Sequence, residues 1–429
     1  YFFCSHNTEI DADNVLHDVL VNASGTSQKI NPDKANSQIG AIRFDVLDDG
    51  VTDILRDKLL EEEEGVKGRR VKFYVGFADL EFDEYIVATT QIVDSVSHKN
   101  RRYTFQCADV QRMARKEIFD AREFVLLEGV KATDTTIRVF STAGAQMVMH
   151  PTVDGSPVSG RKVMLLELEG EDDQIEIARA TSFDGSSFTV ERGALGTLPV
   201  EIEMPEGATS NNAPKIKAFI YFNMPAPMAA YAALTGYIYG YAGERWPSHW
   251  HAGIPLDLVA TTDFASIGED LWSTQDRGDG LLVQFLGPEK TDAKRFVEEQ
   301  LLQLMGCFPK IYNDGQLGIQ RAAAIPSQAG YVRALTDREI VDHSDLAHDL
   351  KSVINYIELD WNQELNREGY TRRNVVLDEQ SIKMHGRSDV FRVAFDGLYG
   401  NHTTYKDIYR IMSSLRDRYA GPPLRMTAT

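Results

Sequence analysis

Two histidines separated by one tryptophan are the best candidates for metal ligands in the sequence. His249 and His251 flank Trp250, and in an extended segment the side chains at positions i and i+2 project to the same side. A zinc site needs three or four ligands, and Glu244 nearby does not give an identifiable third ligand. An aromatic loop packed at a domain boundary is the alternative, which the ligand count favours. We therefore predict no metal and retain His249 and His251 as the candidates for one.

The densest group of carboxylates surrounds a predicted turn. General acid–base catalysis requires a carboxyl group in an apolar pocket that raises its pKa, whereas a turn is solvated. The sequence contains no zinc-protease, serine-hydrolase, P-loop or dinucleotide-binding motif. We therefore predict a protein that is not an enzyme and has no cofactor. The carboxylates are Glu167, Glu169, Glu171, Asp172 and Asp173.

The cysteines indicate structural thiols. Cys4, Cys107 and Cys307 lie far apart and form no CxxC pair, which argues against a zinc ribbon or a thioredoxin-type site. Cys107 falls in a predicted strand and Cys307 beside an apolar helix. Reactive thiols need polar, cationic surroundings, so we expect buried thiols in a protein made in a reducing compartment.

Composition places these residues in a globular chain of several domains. The 429 residues are 43% hydrophobic and 25% charged, and the balance of 45 basic and 64 acidic residues gives a net charge of −19. At about 150 residues per domain, this length predicts roughly three domains. A net charge this negative argues against a protein that binds nucleic-acid phosphates or the surface of an anionic membrane.

One uncharged segment is long enough to span a bilayer. No charged residue occurs from Ala218 to Gly243. Asn223, Pro225 and Pro227 interrupt its start, and tyrosines are scattered through the remainder. The segment therefore predicts a buried helix of a soluble protein and no stable membrane insertion.

The periodicity of the rest of the chain predicts a β-rich α+β fold. Predicted hairpins join Tyr85–Val96 to Arg102–Cys107 and Cys307–Tyr312 to Gln316–Gln320. Amphipathic helices are predicted over Thr291–Met305, with Thr291 as N-cap, and over about Thr404–Tyr419. Composition changes divide the chain into a strand-rich domain (1–122), an inserted small β module (123–217), a mixed α/β domain (218–330) and a second strand-rich domain (331–429).

Three passages and the order of the modules resemble a known family. The passages are Gly76-Phe77-Ala78-Asp79 with the hairpin Tyr85–Cys107 and the helix after Asp109, the turn Glu191–Thr197, and the block Lys351–Pro423. Together they resemble the central hub protein of bacteriophage tails, which is the baseplate hub of contractile tails and the tail-tip hub of long flexible tails.

The resemblance implies an assembly. Family hubs are trimers in which each subunit contributes two tail-tube-like β-barrel domains, here 1–122 and 331–429, to a pseudo-sixfold ring that continues the tail tube. Tape measure protein and DNA pass through the bore, while distal tail protein, tail fibres and a central spike attach around it. The resemblance also implies assembly in the bacterial host cytoplasm, a final location at the virion tail tip, and further domains beyond the second barrel in many members.

A bore that conducts DNA without binding it favours acidic walls. The acids that we assign speculatively to the lumen or an interface are Asp45, Asp48, Asp49, Glu61, Glu62, Glu63 and Glu64. A solvated face is the alternative explanation for any one of them. Two other functions remain open, a tail-associated glycan-binding or cell-wall-degrading module and an unrelated multidomain binding protein.

Overall fold

The computed structural model describes most of the chain in separate ranges. These are residues 2–3, 16–17, 20–25, 28–31, 36–47, 65–77, 80–140, 152–153, 156–157, 164–238, 245–271, 281–321, 347–348, 353–363, 369–400, 403, 405–419 and 424–425.

Strands dominate the described residues. In the first part of the chain they are β1 (Phe2–Phe3), β2 (Leu16–His17), β3 (Leu20–Ala23), β4 (Gln28–Asn31), β5 (Asn36–Ile39), β6 (Ile42–Leu47), β7 (Arg70–Val75), β8 (Ile86–Lys99), β9 (Arg102–Ala108), β10 (Glu117–Ile118), β11 (Glu123–Val125), β12 (Thr136–Arg138), β13 (Thr152–Val153) and β14 (Ser156–Pro157). They continue as β15 (Met164–Glu169), β16 (Ile175–Phe183), β17 (Ser187–Ala194), β18 (Lys215–Phe219), β19 (Tyr221–Pro225), β20 (Leu282–Leu286), β21 (Thr291–Asp292), β22 (Cys307–Ile311), β23 (Leu317–Arg321), β24 (Ala347–His348), β25 (Tyr356–Gln363), β26 (Tyr370–Leu377), β27 (Val390–Phe395) and β28 (Leu424–Arg425).

Helices lie mainly in the second half. They are α1 (Ala226–Thr235), α2 (Thr261–Leu271), α3, α4 (Glu379–His385) and α5 (Tyr405–Tyr419). Helix α3 consists of three consecutive segments, Ala293–Arg295, the π-helical Phe296–Leu302, and Gln303–Met305. Short 3-10 helices cover Phe82–Glu84, Val110–Arg115, Glu171–Asp173 and Leu256–Leu258.

The first sheet is a five-stranded antiparallel sheet in the order β3-β6-β9-β8-β7. The predicted hairpin is confirmed as β8 and β9, and Asn100 and Arg101 form its turn with φ of 52° and 59°. Positive φ at two adjacent turn residues matches the twist of the flanking strands. The sheet has its own core, in which the Phe44 and Phe105 rings stack at 4.7 Å.

A six-stranded antiparallel sheet follows in the order β11-β18-β15-β16-β17-β12. The apolar run in β15 is nearly all buried, as expected for a strand covered on both faces. At the end of β17 the chain turns sharply through Gly193 and Gly196, which have φ of 66° and 80°. The turn predicted at Glu191–Thr197 is therefore confirmed, and its two glycines adopt a positive φ.

The prediction of one buried helix across 218–243 is wrong at its start. Residues Tyr221–Pro225 form β19, which pairs with β20, and α1 begins only at Ala226. Pro225 ends the strand and Pro227 occupies the first helical turn, where its missing N–H leaves no hydrogen bond unmade. Within the ranges given above, no helix has both the length and the apolarity to cross a membrane.

Helix α3 forms where the sequence predicts it, but Asp292 caps it and not Thr291. The Asp292 carboxylate accepts a hydrogen bond from the Arg295 amide at 2.8 Å, and Thr291 instead pairs with Ile118 in a short bridge between strands. Beyond α3, the predicted hairpin of β22 and β23 is confirmed.

The last sheet has β25 at its centre, with β26 antiparallel and β27 parallel to it. The parallel strand is reached through α4, because two parallel strands require a crossover connection. Helix α5, predicted over 404–419, covers one face with buried Ile408, Ile411 and Met412.

The β-rich α+β fold is confirmed, with a half-barrel sheet at each end of the chain. One continuous core joins the six-stranded sheet, α1 to α3 and the inner face of the last sheet, whereas the first sheet has a separate core. The predicted domain boundaries stay a prediction.

Candidate functional site

The two candidate metal ligands lie in a buried aromatic cluster. Trp246 and Trp250 pack edge to face with ring centroids 6.0 Å apart, and both are almost fully buried. A main-chain hydrogen bond fixes the position of the segment, since the His249 carbonyl accepts from the Phe119 amide at 2.8 Å. His251 is 5% exposed and lies close to the backbone of Gly236.

Burial and, to a smaller extent, nearby cations together lower the pKa of both His249 and His251 to about 4. Lys116 contributes to both shifts. Neutral imidazoles can bind a metal, but neighbouring cations repel one. Among the residues that the structure describes, no group of three or more His, Cys, Asp or Glu side chains could hold a metal ion. The metal assignment to His249 and His251 is untested, because Glu244 lies outside those residues.

One of the predicted lumen acids can be placed. Asp45, on β6, is 5% exposed and accepts a hydrogen bond from the Thr104 hydroxyl at 2.7 Å. Arg43 and Arg102 lie 3.7 and 3.6 Å from its carboxylate oxygens. Asp45 thus links two neighbouring strands, and its role as a bore-facing acid stays a prediction. The other predicted acids, Asp48, Asp49, Glu61, Glu62, Glu63 and Glu64, lie outside the described residues.

The carboxylate group at 167–173 lies around a short 3-10 turn at the end of β15, as the sequence predicts. Glu169, Glu171 and Asp173 are exposed, and half-buried Glu167 pairs with Lys217 at 3.3 Å. None of the four whose side chains the structure describes has the apolar enclosure that acid catalysis requires.

The sequence does not single out the most enclosed carboxylate of the β module. Glu176 on β16 is fully buried and forms an ion pair with Arg192, whose side chain is 7% exposed. Its oxygens also accept hydrogen bonds from the amides of Gly193 and Val200 at 2.9 and 2.8 Å. The Arg192 guanidinium donates further to the carbonyl oxygens of Lys131 and Val200. We call Glu176 and Arg192 the clasp, because they tie the turn after β17 to β16 and to the start of the module.

Opposing effects set the charge of the clasp carboxylate. Burial on its own raises the pKa of Glu176, but hydrogen bonds from Arg192, Val200 and Gly193 outweigh burial and hold the pKa below its usual value. Glu176 is therefore ionised at neutral pH. A fully bonded ion pair of this kind supports structure and leaves no lone pair for a substrate.

Another buried carboxylate lies on the outer face of the last sheet. Asp360 on β25 is 7% exposed and is contacted by Arg373 of β26 at 2.5 Å and Arg392 of β27 at 2.9 Å. Glu358 lies within 4.0 Å of the same two arginines. The group joins all three strands across one face and, like the clasp, is satisfied internally.

Glu298, in the π-helical part of α3, is a further enclosed carboxylate. Its side chain is 13% exposed, and its Oε1 lies 3.6 Å from Nζ of Lys294. Burial raises the pKa of Glu298 to about 7, although Lys294 acts in the opposite direction. The two side chains border a cavity of about 20 Å³, which has room for about one water molecule. The other lining residues are Gln111, Ala114, Leu234, Val297, Leu302, Pro309, Leu317 and Ile319.

Comparisons with known proteins identify no family. No protein-family profile and no curated protein matches the chain. Among solved structures, a chain described as "Virion of native gene transfer agent (GTA) particle" aligns at 14% identity over 43% of this chain and 67% of that chain, with a TM-score of 0.19. A likeness this weak carries no argument about fold or function.

Proposed function

We propose that this chain is a structural component of a phage-like virion, the hub of a tail tip or baseplate. Three copies form a pseudo-sixfold ring that continues the tail tube, with the sheet regions at both ends of the chain in the wall. The ring anchors fibres, a central spike and distal tail protein, and lets tape measure protein and DNA pass. The hub performs no catalysis.

The observation that carries this proposal is the pair of half-barrel sheets with open edges. Strands β3 and β7 border the first sheet, and β26 and β27 border the last. Among the described residues, each of these strands pairs with one neighbour only. Unpaired strand edges in an isolated chain favour aggregation, and pairing with another copy satisfies their main-chain groups.

The net charge of −19 is consistent with a conduit. An acidic bore repels phosphate and lets DNA slide past. If this charge serves DNA passage, the wall facing the bore is more acidic than the outer wall. A neutral or basic bore in the assembled ring would remove that explanation.

The test is the mass and symmetry of the protein in solution. Analytical ultracentrifugation and electron microscopy of the purified chain are expected to show a trimeric ring. A monodisperse monomer that releases fragments from bacterial cell walls would contradict the proposal and favour a wall-degrading module.

A further inference from the structure

Three large apolar side chains project from one end of the first sheet. Val75, Phe77 and Ile86 are 64%, 77% and 71% exposed. Val75 and Ile86 are direct cross-strand partners at the ends of β7 and β8, and Phe77 lies two residues beyond Val75. We call these three residues the apolar tip. Solvent exposure of neighbouring large apolar groups is typical of an interaction site.

Local side-chain and main-chain contacts order the chain beside the apolar tip. The ring of Tyr85 packs on the backbone of Gly76, so closely that a Cβ at Gly76 would lie 2.6 Å from it. The Phe77 carbonyl accepts from the Leu80 amide at 3.1 Å, and the Glu84 carboxylate accepts from the Glu81 amide at 3.0 Å. A preordered surface loses little conformational entropy when it binds.

The charged residues that neighbour the apolar tip along the chain are acidic. Glu81, Asp83 and Glu84 are exposed in the segment that connects β7 to β8. From Phe73 to His98 the sequence contains no Lys or Arg. The apolar tip therefore fits a partner surface that combines aromatic groups with cations.

Such a surface exists at the other end of the same chain. On α5, Tyr405 and Tyr409 are 72% and 62% exposed and stand one turn apart, beside exposed Lys406 and Arg410. We call these four residues the outer face of α5. Helix α5 carries four basic and two acidic residues in a chain whose net charge is −19. Tyrosine and arginine are the residues that most often anchor protein interfaces.

We infer that the apolar tip of one copy docks on the outer face of α5 of a second copy. Both surfaces are exposed in the single chain, the charges beside them are opposite, and both present large apolar or aromatic groups that docking would bury. The contact is head-to-tail, so repeating it closes a ring when the rotation between copies permits. The inference rests on the proposed trimeric ring and names the surfaces that join its subunits.

Single substitutions test each surface separately. Phe77→Asp places a charge at the centre of the apolar tip, and Tyr409→Asp does the same on the outer face of α5. Each is expected to raise the dissociation constant of the trimer at least about tenfold, measured by sedimentation. Leu198→Asp is the matched control, because Leu198 is 80% exposed in the β module and should leave assembly unchanged.

Charge reversal tests the pairing itself. Glu81→Lys with Asp83→Lys, and separately Lys406→Glu with Arg410→Glu, are each expected to weaken assembly. A chain carrying all four changes should regain most of it, because the opposite charges again face each other. Unchanged thermal unfolding midpoints identify variants that have kept their fold.

The outcomes separate this inference from the proposed function. A trimeric unmodified chain whose Phe77→Asp and Tyr409→Asp variants stay trimeric overturns the docking and leaves the ring intact. If the variant that carries all four charge reversals does not regain assembly, the docking is also overturned. A monomeric unmodified chain overturns both proposals. Loss of binding to another virion protein with the trimer unaffected assigns the apolar tip to that protein instead.

Discussion

Glu176 shows how much a single buried carboxylate can do for a β module. Its charge is compensated by Arg192, and the remaining lone pairs are occupied by main-chain amides of the turn after β17. Every polar atom in the pair is satisfied. Removing one of the two residues is therefore expected to destabilise the module by more than the intact pair stabilises it. Removing one partner leaves the other charge buried and unpaired.

We therefore expect Arg192→Met to lower the free energy of unfolding by about 3–5 kcal/mol. Lys215→Met is the control, because the Lys215–Glu123 pair is about half exposed and its loss should cost under about 1 kcal/mol. Urea unfolding followed by circular dichroism measures both. Equal losses in the two variants would show that the clasp is not an important stabilising pair.

The clasp also has a pH dependence with a defined sign. The pKa of Glu176 is lowered in the folded chain, so its contribution is fully present above the unfolded glutamate pKa. That contribution disappears as the pH falls through the lower, folded pKa.

At the scale of elements, the ends of helices decide which substitutions are tolerated. Helix α1 ends at Gly236 with φ of 85°, and α4 ends at Gly386 with φ of 67°. A Cβ at Gly236 would lie 2.6 Å from the imidazole of buried His251, whereas nothing lies within 4 Å of one at Gly386.

The two glycines predict different losses of stability on substitution by alanine. Gly386→Ala is expected to cost about 1–2 kcal/mol from the left-handed backbone alone. Gly236→Ala is expected to cost more, because the imidazole beside it is 5% exposed and has little room to move. Thermal unfolding of the two variants gives the comparison. Equal midpoints would show that the His251 side chain moves aside with no loss of stability.

Helix α3 supports a second prediction at this scale, on pH. The pKa of Glu298 is raised to about 7, above the unfolded value, so the folded chain holds the proton more tightly. Stability from this group therefore falls as the pH rises from about 4.3 to about 7 and is level above that. Glu298→Gln is expected to flatten this decline, measured as the difference in unfolding free energy from the unmodified chain.

Glu299→Gln is the control for that experiment, because Glu299 follows Glu298 but its side chain is 55% exposed. His249 and His251 titrate in part of the same pH range with the opposite sign, so only the difference between variants isolates Glu298. A decline that persists unchanged in Glu298→Gln would assign it to another group.

Elements with one exposed and one buried face could be predicted from the sequence. The hairpin of β8 and β9 and helix α5 follow from period and turn residues, which depend on local chemistry. Glu298 could not be identified as buried, because a Lys–Glu pair at i and i+4 usually marks a solvated helix face. Glu176 cannot be identified from the sequence for a similar reason, because only the distant Arg192 and the fold around it stabilise a buried glutamate.

At the scale of the whole molecule, polar contacts among the described residues link the first sheet to the turn between β22 and β23 and to Asp257. The Thr90 hydroxyl on β8 donates to the Asn313 carbonyl at 2.8 Å, at the turn between β22 and β23. Arg70 on β7 forms an ion pair with Asp257, whose carbonyl accepts from the Gln316 side chain. Ile92 of β8 also packs against the main core, and Asp94 of β8 pairs with Arg112 at 2.9 Å. Since the first sheet otherwise has a core of its own, these polar contacts contribute to how firmly it is held.

We expect Thr90→Val to loosen this junction without unfolding either side. A lost hydrogen bond of about 1 kcal/mol corresponds to roughly fivefold faster opening, so amide exchange should accelerate in both β8 and the turn at 312–316. The β module should keep its exchange rates. Thr181→Val is the matched control, because the Thr181 hydroxyl donates to the Thr189 carbonyl inside that module. Faster exchange confined to β8 would mean that the two sides are not coupled through Thr90, and the orientation of the first sheet in the proposed ring would then depend on contacts between copies.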